Sequence, residues 1–290
     1  MSDFLQVAGK VALITGGGAG IGRATADLFA EAGIRLAIAE NDKTRVADLR
    51  SAMPDALIVD ADVRDRDDVA RLMAEVETRI GRLDILVNNV GDYLKITSFF
   101  ADSTEDEWEA LYGVNLLHMF RVTKAALPLM KKSGPGGSII NLSTVEAFRG
   151  IPRATVYAAF KSAITGFTQS LAVELGADGI RVNAIAPETT DTAQITADPK
   201  VPLANRPHIG TWFPMGRFGR GEDSAGAALY LASDRLSGWV TGTSLVVDGG
   251  VLAAGAWMRM QGKDTFTHLP IIAADGYTDI SGNGAATGPK

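Results

Sequence analysis

The 290-residue chain contains no cysteine, which excludes disulfides and cysteine-ligated zinc from its architecture and its chemistry. Histidine is scarce: His118, His208 and His268 are the only three, and they have no metal-ligand spacing. With no Gly-x-Ser-x-Gly elbow either, a Ser-His-Asp hydrolase is disfavoured and no required metal is expected. No stretch approaches the roughly 20 uninterrupted apolar residues of a membrane helix. Met1 to Lys10 lacks the basic-then-apolar order of a secretory signal. Basic residues are outnumbered, 28 Lys and Arg against 34 Asp and Glu, and they form no block that reads as a nucleic-acid or anionic-lipid footprint. Asp60, Asp62, Asp65, Asp67 and Asp68 lie close together, but Arg64 and Arg66 interleave them, which fits a helix start better than a cation site. The expectation is a soluble cytoplasmic protein that binds neither nucleic acid nor membrane.

What is present is apolar content, 46 % of the chain, enough for one sizeable α/β domain. Short apolar runs alternate with helical patterns: strands at 11–15, 36–40, 57–60, 85–88, 138–142, 181–185 and 244–247, and helices at 20–31, 65–80, 104–132, 155–175 and 222–233. Strands without apolar–polar alternation are buried on both faces, which predicts a doubly wound parallel sheet of about seven strands with helices on both sides. Residues 1–250 form a single predicted domain, including a long Pro- and Gly-containing loop at 189–221. Residues 251–290 form an extension whose Trp257, Met258, Met260, Phe266, Leu269, Pro270, Ile271 and Ile272 are too apolar for a solvated tail. It is expected to pack on the domain or on a neighbouring subunit.

The run Val11-Ala12-Leu13-Ile14-Thr15 breaks into Gly16-Gly17-Gly18-Ala19-Gly20-Ile21-Gly22 and continues as an amphipathic helix. A buried strand, a glycine turn and a helix N-terminus in that order seat a dinucleotide pyrophosphate, so Gly16, Gly18, Gly20 and Ile21 are cofactor-binding candidates. Glu40 ends the second strand eighteen residues after Gly22, where such folds place an acid on the adenosine ribose. A carboxylate there accepts from ribose hydroxyls and repels a 2′-phosphate. With no Lys or Arg in the glycine turn and Asn41 following, NAD is favoured over NADP.

Tyr157 and Lys161 are four residues apart in a helical pattern and share one face. For a phenol near pKa ~10 to serve as an acid/base at neutrality, its pKa must fall by roughly 3 units, about 4 kcal/mol, which one cation about 4 Å away supplies at intermediate dielectric. Tyr-x-x-x-Lys alone is a common helix-surface pair. Its place after the fifth strand, where ligands bind at strand carboxyl ends, gives it meaning.

Taken in order, Thr15 to Gly22, Asp62-Val63, Asn88-Asn89-Val90-Gly91, Asn115, Ser143-Thr144, Tyr157-Ala158-Ala159-Phe160-Lys161 and Pro187-Glu188 resemble the short-chain dehydrogenase/reductase family from about Lys10 to Gly250. The resemblance implies Tyr157 as acid/base, with Lys161 holding the nicotinamide ribose and lowering the phenol pKa. It implies Asn115 as a relay residue, Asp62 and Val63 at the adenine, and Asn89 and Gly91 along the ribose side. Pro187, Thr190 and Thr192 would flank the nicotinamide. The family's substrate-orienting serine falls, thirteen residues before the tyrosine, on Thr144; Ser143 is the adjacent alternative. Glu188 replaces the family's usual glycine. The implied activity is hydride transfer between NAD and a small-molecule secondary alcohol or ketone, in a homotetramer or homodimer. The pocket candidates Tyr93, Val145, Phe148, Ile151, Pro152, Trp212, Phe213 and Met215 suggest a hydrophobic substrate, cyclic ones included. The alternatives are a lyase or epimerase on the same fold, an NADP-dependent ketone reductase, and a non-enzymatic nucleotide sensor, which the intact Tyr/Lys pair disfavours.

Overall fold

Consecutive residues of one strand supply both halves of the hydrophobic core. In β1 (Val11–Thr15), Val11 and Leu13 join one buried cluster while Ala12 and Ile14 join another, as side chains alternating across a sheet covered on both faces must. The computed structural model describes residues 4–192, 195, 201, 203–255, 258–259 and 266–267. Trp257, Met260, Leu269, Pro270, Ile271 and Ile272, which carried the expectation of a docked extension, lie outside these residues, as does His268.

The chain runs β1, α1 (Gly20–Glu31), β2 (Arg35–Glu40), α2 (Lys43–Ala52), β3 (Leu57–Asp60), α3 (Arg66–Arg79) and β4 (Ile85–Asn88). It continues through α4 (Glu105–Tyr112), a π-helical turn Gly113–Leu117, α5 (His118–Ser133), β5 (Gly137–Leu142), α6 (Thr155–Leu175) and β6 (Ile180–Pro187). A two-residue strand β7 (Thr190–Asp191), a short helix α7 (Ile209–Trp212) and β8 (Gly219–Arg220), which pairs with β7, follow. Then come α8 (Gly221–Ala232), α9 (Asp234–Ser237), β9 (Ser244–Val247), α10 (Val251–Ala254) and a small antiparallel pair, β10 (Met258–Arg259) with β11 (Phe266–Thr267). Seven parallel strands form one sheet in the order β3-β2-β1-β4-β5-β6-β9. Helices α1, α2 and α8 contribute buried side chains to one face, and α3, α5 and α6 to the other. This is the doubly wound, Rossmann-like α/β fold that the uninterrupted apolar strands predict. Among the described residues no helix is long and apolar enough to cross a membrane.

Two differences from the sequence expectation have physical causes. Helix α2 is absent from it because Lys43–Ala52 buries only Val46 and Leu49, too few apolar positions to show a helical period. Its signal is Asp42, whose side chain accepts from the Thr44 and Arg45 amides and caps the helix. The single helix expected over 104–132 starts at the capping box of Thr104 and Glu107 but is interrupted by the π-helical turn. At the open edge of the sheet, Arg50 and Arg71 donate to the Ile58 and Asp60 carbonyls at 3.4 and 2.7 Å, which blunts β3 as a template for strand pairing.

Strand order reverses between β1 and β4, so the loops following the two strands diverge and leave a crevice at their carboxyl ends.

Candidate active site

The glycine turn opens that crevice. Gly20 takes φ +55° and starts α1, whose N-cap, Ala19, provides no side-chain cap and whose first turn carries no acidic residue. The free amides and positive dipole end of a twelve-residue helix therefore face the crevice, which suits a diphosphate. Ile21, half-buried, packs behind the turn on the core. Asn89 fastens the turn from the other side: its Nδ2 donates to the Thr15 and Gly16 carbonyls, both at 3.0 Å.

Glu40 lies beside this turn and is 4 % exposed. Oε2 accepts from the Gly18 amide at 2.9 Å, and Oε1 accepts from the Asn41 and Asp42 amides at 3.0 and 3.1 Å. A Cβ at position 18 would stand 2.5 Å from Glu40 Oε2, so only glycine lets the carboxylate reach the turn. Arg45 also approaches, its Cβ 2.8 Å from that same point, while its guanidinium leans on Asp42 at 3.9 Å. Beyond β3, Asp62 is bound to Arg64 at 2.6 Å, and that contact holds its carboxyl below the usual carboxylate range against the opposing effect of burial. The Asp62 amide donates to Asp68, and Val63 is buried.

At the other end, α6 lies along the end of β5. Lys161 is 4 % exposed, and its Nζ donates to the Leu142 carbonyl at 3.0 Å and stands 5.8 Å from the centre of the Tyr157 ring. A Cβ at Gly91 would be 2.7 Å from that Nζ and 3.2 Å from Asn115 Oδ1, so this glycine makes room for both. Asn115 occupies the π-helical turn. Its Nδ2 donates to the Asp92 carbonyl at 2.7 Å and to the Leu111 carbonyl at 3.0 Å, and its Oδ1 accepts from the Asp92 amide at 3.2 Å. Taking the carbonyl four residues back is how a side chain competes with the helix ladder, and π turns of this kind accompany functional sites.

Burial pushes the Lys161 ammonium down to about 8. Burial also pushes the Tyr157 phenol above its ordinary value, helped by Glu146 and Asp92. The sequence expectation weighs the lysine and a bound cofactor, whereas in the cofactor-free site desolvation and two carboxylates oppose ionisation of the phenol. His118, one turn beyond Asn115, is 1 % exposed, and burial reinforced by Lys161 holds its imidazole near 3, so it is neutral at pH 7.

The two adjacent hydroxyls point to different places. Ser143 is buried and donates to the Lys161 carbonyl at 3.1 Å. Thr144 is half-buried, and its Oγ1 donates to the Pro187 carbonyl at 3.3 Å. With Thr144 in the substrate-orienting role that the resemblance implies, Thr144→Ala is expected to cut kcat by roughly 10²-fold or more, in the range of a lost oxyanion-hole donor. Ser143→Ala is expected to cost stability and little turnover. Steady-state kinetics and melting curves of both variants distinguish them, and the reverse ranking would transfer the role to Ser143.

Thr190 is buried, with Oγ1 donating to the Glu188 carbonyl at 2.8 Å. Thr192 lies over the start of α1, its Cβ 3.3 Å from where a Cβ on Gly20 would stand. Of the pocket candidates, Val145 is fully buried and unavailable to a substrate, whereas Phe148, Trp212 and Met215 are exposed. Phe213 is paired edge-on with Phe218.

The glycine turn, the acid ending β2 and the buried lysine are therefore assembled at one crevice. Residues 16–252 match the family model described as enoyl-(acyl carrier protein) reductase. A 3-oxoacyl-[acyl-carrier-protein] reductase, FabG, of Thermotoga maritima is 37 % identical over 254 residues, covering 86 % of this chain and all of that protein. The chain belongs to the short-chain dehydrogenase/reductase family. Other members similar to it include a 3alpha-hydroxysteroid dehydrogenase of Mediterraneibacter gnavus, 39 % identical over 252 residues, covering 85 % of this chain and 98 % of the relative. An L-fucose dehydrogenase of Bos taurus is 36 % identical over 257 residues, with 86 % and 92 % covered. This short-chain dehydrogenase/reductase is thus an oxidoreductase of a family that binds a nicotinamide cofactor and acts on small molecules.

One group escaped the sequence reading. Arg149 pairs with Glu146 at 2.9 Å and with Glu188 at 2.5 Å, joining the loop after β5 to the end of β6. The Glu-x-x-Arg spacing of 146 and 149 was its visible half; the contact to Glu188 spans 39 residues and leaves no local mark.

Proposed function

We propose that this protein is an NAD-dependent dehydrogenase that interconverts a hydrophobic secondary alcohol, cyclic ones included, and its ketone, as a homo-oligomer. The observation that carries the proposal is a buried Lys161 paired with Tyr157 and bound to the Leu142 carbonyl, two residues before the half-buried Thr144, at the same crevice as the Glu40-braced glycine turn.

The uncapped start of α1 would hold a diphosphate, Glu40 the adenosine ribose, and Asp62 with Val63 the adenine. Pro187, Thr190 and Thr192 border the nicotinamide end, and Asn89 and Gly91 keep the crevice floor in place. A bound nicotinamide would supply the hydride acceptor or donor. Tyr157 Oη takes the hydroxyl proton of an alcohol, or returns one to the oxygen of a ketone being reduced. Thr144 Oγ1 donates to that oxygen and fixes its direction. Lys161 holds ribose hydroxyls and favours the ionised phenol, and Asn115 carries the proton path inward from Lys161.

The preference for NAD rests on Glu40, whose carboxylate is already fixed at the turn, and on Arg45 being partly engaged by Asp42. Purified protein assayed with NAD and with NADP against a panel of secondary alcohols, following absorbance of the reduced cofactor, tests the reading. Turnover with NAD is expected, and no turnover with any member would overturn it. Glu40→Ala is expected to raise the KM for NAD and to narrow the preference over NADP by about tenfold or more, since a 1.4 kcal/mol change is tenfold. Arg45, whose Cβ lies beside the glycine turn, is then a cation available to a 2′-phosphate. An unchanged ratio of kcat/KM values would remove Glu40 from the role.

A further inference from the structure

Resting on the reading above, we propose that Arg149 is a positioning residue for the Thr144 hydroxyl, with Glu188 as its buried counter-charge. The contacts close into a ring. Thr144 Oγ1 donates to the Pro187 carbonyl at 3.3 Å. The next residue, Glu188, is 9 % exposed, and its Oε1 accepts from the Thr189 amide at 2.8 Å and the Thr189 hydroxyl at 3.0 Å, which fixes the carboxylate plane. Its Oε2 pairs with Arg149 Nη2 at 2.5 Å. The same guanidinium donates to Glu146 through Nη2 at 2.9 Å and Nε at 3.3 Å, and the Glu146 amide returns to Thr144 Oγ1 at 3.4 Å. Glu146, and beyond it Glu188, hold the Arg149 guanidinium above its ordinary value.

Two loops that are distant in sequence are thereby clamped on either side of one hydroxyl. The loop after β5 carries Thr144, and the end of β6 carries the carbonyl that Thr144 leans on. Arginine suits the position because its planar fork reaches two carboxylates at once, which a lysine ammonium does less well. Glu188 requires that cation. A buried carboxylate deprived of its partner is left uncompensated, and the strand end must shift or take in water to relieve it. Such a shift moves the Pro187 carbonyl, hence the Thr144 hydroxyl. Arg149 itself touches no reacting atom in this scheme.

The test is a pair of double-mutant cycles, run with the fastest alcohol of the panel and NAD. Arg149→Met is expected to lower kcat by about tenfold or more, because displacement on the 1 Å scale costs up to about 10²-fold, with the KM for NAD unchanged within about twofold. Adding Glu188→Gln is expected to restore kcat to within about threefold of wild type, since a neutral amide does not need the cation. In a Thr144→Ala background, Arg149→Met is expected to change kcat by less than about twofold, the non-additivity of residues acting as a unit. A merely structural role predicts the same loss with and without the Thr144 hydroxyl. Equal losses in the two backgrounds, or a double variant no better than Arg149→Met, overturn the proposal. Arg149→Lys, which keeps the charge and weakens the fork, falls between wild type and Arg149→Met and carries the same cycles if the methionine variant does not fold. Failure of the dehydrogenase reading shows separately, as turnover that survives Tyr157→Phe.

Discussion

Tyr157→Phe is expected to lose roughly 10²–10⁴-fold in kcat, the usual contribution of a positioned acid/base. The fold should survive the change. The ring is retained, and among the described residues no protein group hydrogen-bonds the Tyr157 hydroxyl, so no protein contact is broken. Burial and the nearby Glu146 and Asp92 disfavour the ionised phenol, so phenylalanine is if anything more compatible with the cofactor-free site. Loss of turnover with an unaltered melting temperature and unaltered NAD binding therefore isolates a proton-transfer role. A kcat within about tenfold of wild type would fall below the range expected for such a role and remove Tyr157 from it.

The sequence disclosed the parts of this site that depend on local pattern. The glycine turn is legible because a run of buried strand residues cannot become a helix so abruptly without residues of unusual backbone freedom, as Gly16 and Gly20, both at positive φ, illustrate. Tyr157 and Lys161 are legible because helical spacing alone puts them on one face. Thr144 is singled out over Ser143 by its place thirteen residues before Tyr157 in the family resemblance; strand alternation says only that one of the two can serve, and the structure directs the two hydroxyls to different partners. The remainder depends on contacts between distant residues. Asp62, given to adenine by resemblance, is engaged by Arg64 two residues away. Helix α2 hides because a helix lying over the edge of the sheet needs few apolar side chains. Arg149 has its meaning only when β5 and β6 lie side by side. The balance at Tyr157 is of the same kind: a spacing argument counts the neighbouring ammonium, whereas desolvation of the phenol and the carboxylates behind it push the cofactor-free phenol up.

Lys161→Met is expected to abolish turnover and yet make the cofactor-free protein more stable at pH 7. Burial holds the folded ammonium near 8 against an ordinary value of 10.5, a gap of about 2.5 units or roughly 3 kcal/mol of unfavourable charge burial below pH 8. Methionine keeps the length without the charge and loses one hydrogen bond, to the Leu142 carbonyl, worth about 1 kcal/mol. A net gain of about 2 kcal/mol remains, or roughly 4–8 °C in melting temperature for a chain somewhat larger than those on which that conversion rests. The pH dependence fixes the cause. Between about pH 8 and 10.5 the unfolded chain binds a proton at this site that the folded chain has released, so wild-type stability rises relative to the variant as pH increases. The advantage of Lys161→Met should therefore be full below pH 8, shrink through that window and turn into a deficit of about 1 kcal/mol, the lost hydrogen bond, as pH passes 10.5. Melting curves of both proteins across pH 6.5–10.5, taken without cofactor, read this directly. A variant less stable at pH 7, or an advantage that does not change with pH, would mean that the buried ammonium is better compensated than its single carbonyl contact indicates. If the advantage appears as described, a charge that weakens the fold is held at the end of β5, where the proposed roles in binding a ribose and favouring an ionised phenol both require it.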